Sequence, residues 1–242
     1  MAPEPKLSPK SIPCRERLIL ALDVPSLDEG KRWVERLGDS VEFYKLGLQF
    51  LMTGHYFEMV DWLDAQGKKV FADVKFFDIP ETVRLAVEQL STRKVAFATV
   101  HGSDSMIEAA VSARGRIKIL AVTVLTSLDR GDLEDMGYRS DPEELVLARA
   151  RRCVSLGCDG VIASGLEAAR LRAELGSDFL IVSPGIRAAG GPAGDQKRTV
   201  DVGDAFRSGA DYIVVGRPIR QAADPRAKAL EIQAKISEVF RP

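Results

Sequence analysis

From Arg17 onward, short apolar runs rich in β-branched residues alternate with longer segments whose apolar positions recur at helical spacing. The runs Leu18–Leu22, Val41–Leu46, Val70–Val74, Phe97–Val100, Ile117–Val124, Gly160–Ala163, Phe179–Val182 and Tyr212–Val215 predict eight strands. Nearly continuous apolar strands such as Tyr212-Ile-Val-Val215 suit a parallel sheet covered on both faces. Between them, Ser26-Leu-Asp-Glu29 has the form of a capping box opening the first helix. Asp141-Pro-Glu-Glu144 sets a proline in a first helical turn, with acids beside the positive end of the helix dipole. No linker rich in Pro, Gly or Ser divides the βα units into halves, which predicts one domain over residues 17–242. The expected fold is a single-domain (β/α)₈ barrel with parallel strands; a doubly wound open sheet is the alternative. Ahead of it, Pro3, Pro5, Pro9 and Pro13 mark residues 1–16 as a disordered tail, with no apolar stretch of the kind a secretory signal needs.

Composition narrows the function classes. The 242 residues match the ~250 typical of such a barrel. Lys+Arg 34 against Asp+Glu 35 leaves a formal net charge of −1, which argues against nucleic acid as a partner. No apolar run approaches the ~20 residues of a membrane-spanning helix, so no membrane association is expected. Cys14, Cys153 and Cys158 form no CxxC, and the only histidines are His55 and His101, so neither a zinc site nor a disulfide framework has its residues. Unpaired thiols and the missing export signal point to the cytoplasm.

Sites on this barrel lie at the carboxyl ends of the strands. There the chain places Asp23, Lys45, the pair Asp73 and Lys75, the run Pro184-Gly-Ile-Arg187, and Gly216-Arg217. Residues 73 and 75 are two apart, so on a strand both side chains project to one face. An Asp and a Lys inside a barrel are costly unless further charges complete the arrangement; Lys45, at the end of the neighbouring second strand, and Asp78, three residues after Lys75 in the loop, can supply them. The plainer alternative is a solvated ion pair on an edge strand, but a closed barrel has no edge.

Asp73-Val-Lys75-Phe-Phe-Asp78-Ile-Pro80-Glu-Thr82 resembles the signature of the orotidine 5′-phosphate decarboxylase family. Leu20-Ala-Leu-Asp23, Tyr44-Lys45-Leu-Gly47, Leu125-Thr-Ser127, Ser183-Pro-Gly-Ile-Arg187 and Val215-Gly-Arg-Pro218 agree with it in order, from about Leu18 to Pro218. The resemblance implies decarboxylation of orotidine 5′-phosphate to UMP in de novo pyrimidine biosynthesis, with neither metal nor organic cofactor. It further implies a Lys45–Asp73–Lys75–Asp78 charge array in which Lys75 gives its proton to pyrimidine C6. Asp78 and Thr82 are then contributed across the interface of a homodimer. Asp23 and Lys45 would meet the ribose hydroxyls, Ser127 the pyrimidine amide edge, and Thr126 and Pro184 the nucleotide. Arg187, Gln196, Gly216 and Arg217 would hold the 5′-phosphate. Independently of the resemblance, Gly216 permits close approach of a backbone N–H to an oxyanion, and Arg217 offers a bidentate fork.

Between the two arginines, Ala188-Ala-Gly-Gly-Pro-Ala-Gly-Asp-Gln196 has no apolar period and the composition of a mobile lid. His101 ends the fourth strand and is expected to have a structural or supporting role. His55 reads as an ordinary helix residue, and the polar loop Leu128 to Ser140 has no assigned function. Two rival readings remain. A metal-dependent sugar-phosphate decarboxylase or aldolase of the same superfamily would carry an acidic ligand where this chain has Lys45. A non-catalytic barrel that only binds a phosphorylated ligand would have no use for the intact charge array.

Overall fold

The computed structural model describes residues 7–187 and 199–241. Eight parallel strands close on themselves in sequence order: β1 (Leu18–Ala21), β2 (Phe43–Gly47), β3 (Lys69–Phe76), β4 (Phe97–Val100), β5 (Lys118–Val122), β6 (Gly160–Ile162), β7 (Leu180–Ser183) and β8 (Tyr212–Val215). Pairing of Leu18 with Ile213 and Leu20 with Val215 joins β8 back to β1, so the closed barrel, not the open sheet, is the architecture. The outer helices are α1 (Leu27–Leu37), α2 (Leu48–Leu51), α3 (Tyr56–Ala65), α4 (Pro80–Ser91), α5 (Asp104–Ala113), α6 (Arg130–Asp135), α7 (Pro142–Ser155), α8 (Gly165–Leu175), α9 (Val202–Arg207), α10 (Arg217–Arg220) and α11 (Pro225–Val239).

Both helix starts read from the sequence carry an N-cap, at α1 by the Ser26 half of the expected capping box alone. Ser26 Oγ accepts from the Glu29 N–H at 3.3 Å, and Asp141 accepts from the Glu143 N–H at 2.9 Å. The fifth strand stops sooner than its apolar run: at Thr123 the backbone N–H reaches the Ile162 carbonyl only at 3.5 Å, and the hydroxyl donates to the same carbonyl at 2.8 Å. The second starts later, because Ser40 ends a 3₁₀ turn with its hydroxyl on the Leu37 carbonyl.

Residues 7–16, expected to belong to a disordered tail, instead pack under the amino-terminal end of the barrel. Ser8 is buried and its hydroxyl donates to Asp211, while Lys10 donates to the carbonyls of Ser177 and Phe179. The buried Arg17 guanidinium bridges the carbonyls of Lys10 and Asp211 at 3.0 Å each and lies 3.7 Å from the Phe240 ring centre. Asp211, fully buried, is paired with Arg172 at 2.6 Å. These polar groups need partners at the barrel floor, and the segment before Arg17 supplies several of them.

Inside the barrel, Ile19, Phe43, Phe71, Phe97, Leu120, Leu180, Val182 and Tyr212 form a core distinct from the one under the helices. Phe43, Phe97 and Tyr212 meet in tilted and edge-to-face pairs with ring centres 5.0 to 6.0 Å apart. The strand period of two then fixes what stands above this floor. Two residues beyond Phe43 is Lys45, two beyond Phe71 is Asp73, and two beyond Phe97 is Thr99. An apolar layer is thereby followed by a polar one at the carboxyl end.

Candidate active site

That polar layer opens into a cavity of about 510 Å³. Its walls include Asp23, Lys45, Asp73, Lys75, Thr126, Ser127, Pro184, Arg187, Gly216 and Arg217. Residues from the ends of β1, β2, β3, β5, β7 and β8, distant in sequence, are thus brought to one mouth. Phe71 forms part of the floor.

At the centre, Asp73 stands between two lysines. Lys75 Nζ lies 2.8 Å from Asp73 Oδ1, and Lys45 Nζ lies 3.3 Å from Asp73 Oδ2. Thr99 Oγ1 donates to Asp73 Oδ1 at 3.0 Å and accepts from the Lys75 backbone N–H at 2.9 Å. Burial by itself would raise the Asp73 carboxyl; Lys45, Lys75 and the hydrogen bonds from Lys75 and Thr99 outweigh it and hold the group below the usual carboxylate range. Lys45 also reaches Asp23 Oδ1 at 3.5 Å. Gly47 leaves room for this contact, since a Cβ there would stand 3.2 Å from Lys45 Nζ and 3.4 Å from Asp23 Oδ1.

The pairing of Asp73 and Lys75 is not the product of a regular pleat alone. Between Ala72 and Phe76 the register of β3 against β4 shifts: Ala72 faces Ala98, while Phe76 faces Val100. Lys75 occupies this irregularity with φ 52°, a left-handed conformation costing a non-glycine residue roughly 1–2 kcal/mol. Among the described residues it is the one non-glycine with positive φ. The backbone strain falls on the lysine whose ammonium enters the cavity.

Asp78 is not part of the central cluster. It is exposed, and its carboxylate accepts from the N–H of Ile79 at 2.7 Å. Asp78 and Thr82 line a separate apolar groove with Leu51, Tyr56, Phe57 and Phe76. The chain by itself therefore brings together three members of the expected four-membered array. Gln196 and the glycine-rich run Ala188 to Gln196 lie outside the described residues; their flanks are joined by the bridge between Ile186 and Val200. Thr126 and Ser127 sit in the turn closed by the Leu128 N–H on the Leu125 carbonyl at 2.9 Å. Gly185 has φ 78°, which its place in the turn after β7 requires. Gly216 packs against Ala21, whose Cβ would lie 3.2 Å from an added Cβ.

Sequence reasoning missed Thr99 and Arg220. The signal for Thr99 was available, as an interior position two beyond Phe97. Arg220 lines the cavity from the end of α10 and carried no such signal. His101 stands beside the site with its ring edge-on to Phe77, centres 5.5 Å apart. Burial, with Arg149 and Lys75 adding to it, pushes its imidazole below the ordinary histidine value. Among the described residues, no three His, Cys, Asp or Glu side chains are grouped to hold a metal ion, and no helix is long and apolar enough to cross a membrane.

A closed parallel barrel with alternating lysines and aspartates at its carboxyl mouth, and arginines on the last two strand ends, defines a (β/α)₈ protein with the site in its usual place. Residues 16–232 match the model of the orotidine 5′-phosphate decarboxylase / HUMPS family, and the chain belongs to that family. An orotidine 5′-phosphate decarboxylase of Methylococcus capsulatus is 60% identical over 97% of this chain and 97% of its own. One of Stenotrophomonas maltophilia is 52% identical, covering 93% and 94%. The crystal structure of orotidine 5′-phosphate decarboxylase from Lactobacillus acidophilus superposes with a TM-score of 0.81 at 34% identity, over 91% of this chain and 99% of that one.

Proposed function

We propose that this family member decarboxylates orotidine 5′-phosphate to UMP in pyrimidine biosynthesis, with Lys75 as the proton donor. The observation that carries the reading is the ammonium of Lys75, held 2.8 Å from Asp73 inside a cavity that Arg187 and Arg217 also line. The C6–carboxylate bond breaks with its electron pair left on C6. CO₂ departs, and the Lys75 ammonium stabilises that pair and then gives it a proton. Lys75 is left neutral and regains a proton from solvent.

Repulsion between Asp73 and the departing carboxylate contributes little to this account. Two like charges ~4 Å apart interact by about 4 kcal/mol at an effective dielectric of ~20, against barrier reductions of ~8–23 kcal/mol common in enzymes. Both Asp73 oxygens already face ammonium groups, so the trio Lys45–Asp73–Lys75 carries a net single positive charge toward an anionic substrate. Preorganised electrostatics around Lys75, and binding energy from the distant phosphate, supply the larger share. Asp23 and Lys45 receive the ribose hydroxyls, Ser127 the pyrimidine amide edge, Thr126 and Pro184 line the nucleotide, and Arg187, Gln196, Gly216 and Arg217 hold the phosphate.

The metal-dependent rival is disfavoured by Lys45, whose ammonium sits 3.5 Å from Asp23 and 3.3 Å from Asp73, where a divalent cation would need carboxylate oxygens. The direct test follows the ultraviolet absorbance of orotidine 5′-phosphate on mixing with EDTA-treated protein. Full turnover supports the reading; turnover that requires added Mg²⁺ moves the protein to the rival class, and none at all in folded protein leaves a binding barrel.

Completion of the array requires a homodimer. Phe77 and Ile79, each 65% exposed, flank Asp78 and form an apolar face suited to burial against a second copy. The second copy would bring its own Asp78 and Thr82 to the neighbouring cavity. Mixing Lys75→Ala and Asp78→Ala subunits tests this. A heterodimer would then contain one site with both residues intact, and roughly half of wild-type activity per dimer is expected if sites act independently. Verified heterodimers without recovery would mean that each site is built from one chain.

A further inference from the structure

The chain of opposite charges does not stop at Lys45. Asp23 presents one carboxylate oxygen to Lys45 Nζ at 3.5 Å and the other to the Arg220 guanidinium at 4.0 Å. Arg220 also donates through its other terminal nitrogen to the backbone carbonyl of Asp23. The result is an unbroken run Arg220–Asp23–Lys45–Asp73–Lys75, built from the ends of β1, β2 and β3 and from the helix after β8. Lys45 is shared, and it lies nearer to Asp73 than to Asp23. Without Arg220, that one shared ammonium would be the only cation paired with the Asp23 carboxylate among the described residues.

We propose that Arg220 is a positioning residue that fixes Asp23 against the ribose of the bound nucleotide. One terminal nitrogen donates to the Asp23 main chain and the other stands 4.0 Å from its carboxylate, so the guanidinium fixes the place of the residue and sets a cation beside its side chain. It sits three residues after Arg217 on α10, which ties the ribose end of the cavity to the phosphate end through one short helix. A carboxylate held in one orientation loses less freedom when it accepts ribose hydroxyls, and the gain shows in affinity more than in the chemical step.

The inference rests on the assignment of Asp23 to the ribose, and the experiment separates the two. Binding of UMP and of 2′,3′-dideoxyuridine 5′-phosphate, which lacks both hydroxyls, is measured by calorimetry for wild type, Asp23→Asn, Arg220→Met and Arg220→Lys. Arg220→Met is expected to weaken UMP binding roughly tenfold, the scale of one charge-assisted hydrogen bond, and to change dideoxynucleotide binding less than about twofold. In turnover it should raise KM by a similar factor while kcat stays within about threefold, since Lys75 and Asp73 are untouched. Arg220→Lys, which keeps a cation but not the two-pronged contact, should recover part of the UMP affinity. If Arg220→Met proves unfolded, Arg220→Lys against the same two ligands decides the matter. Equal losses on both ligands, or none on either, would overturn the positioning role. If Asp23→Asn fails to distinguish the ligands, the ribose assignment itself falls; if it does so and the Arg220 variants do not, only the inference falls.

Discussion

Lys75→Ala is expected to lower kcat by at least ~10³-fold while UMP still binds within a few-fold of wild type, because it removes both the proton source and the cation at the reacting carbon. The loss should not come from unfolding. Asp73 would keep Lys45 at 3.3 Å and Thr99 at 3.0 Å, so no buried charge is left without a partner. Lys75 is partly exposed to the cavity, so truncation opens no sealed void. Backbone strain at φ 52° is common to lysine and alanine, and Lys75→Gly removes it. The glycine variant is therefore expected to melt no lower than the alanine variant and to be equally inactive. Turnover by either variant within tenfold of wild type, measured by loss of substrate absorbance, would remove Lys75 from the role of proton donor.

The barrel was legible because each strand is centred on a short, local apolar run, which is read without knowing what packs against it. The site was legible where charge interrupts that pattern at a strand end: Asp23, Lys45, Asp73, Lys75 and Arg217 all reach the one cavity. Register was not. The period of two places Asp73 and Lys75 on one face, but the shift between Ala72 and Phe76 depends on how β4 pairs, a non-local matter. Asp78 stands three residues beyond Lys75 in the chain, yet the turn into α4 carries it to the groove with Thr82. Proline content suggested a loose start to the chain, but Ser8 and Lys10 find buried partners at Asp211 and Phe179, which are remote in sequence. A long arginine such as Arg220 reaches whichever carboxylate the fold sets near it, so its partner is fixed only once β1 and β8 are neighbours.

Arg217→Ala should produce the second large effect, on a different quantity. Arg217 opens α10 directly after Gly216 and lines the cavity with Arg187, which follows the neighbouring strand β7. A guanidinium on a phosphate dianion is worth about 1.5–3 kcal/mol per charge-assisted bond, and two parallel bonds are available to a planar fork. Losing both should raise KM for orotidine 5′-phosphate by at least ~10²-fold, the lower end of that range at about 1.4 kcal/mol per factor of ten. Binding energy from the phosphate is also used to hold the ring against Lys75, so kcat/KM should fall further than KM rises, by roughly 10²–10³. Orotidine without its phosphate isolates the cause. On that substrate wild type and Arg217→Ala should be equally slow, because neither has a phosphate to grip. A variant impaired to the same degree on both substrates would owe its defect to the barrel mouth as a whole and not to phosphate recognition.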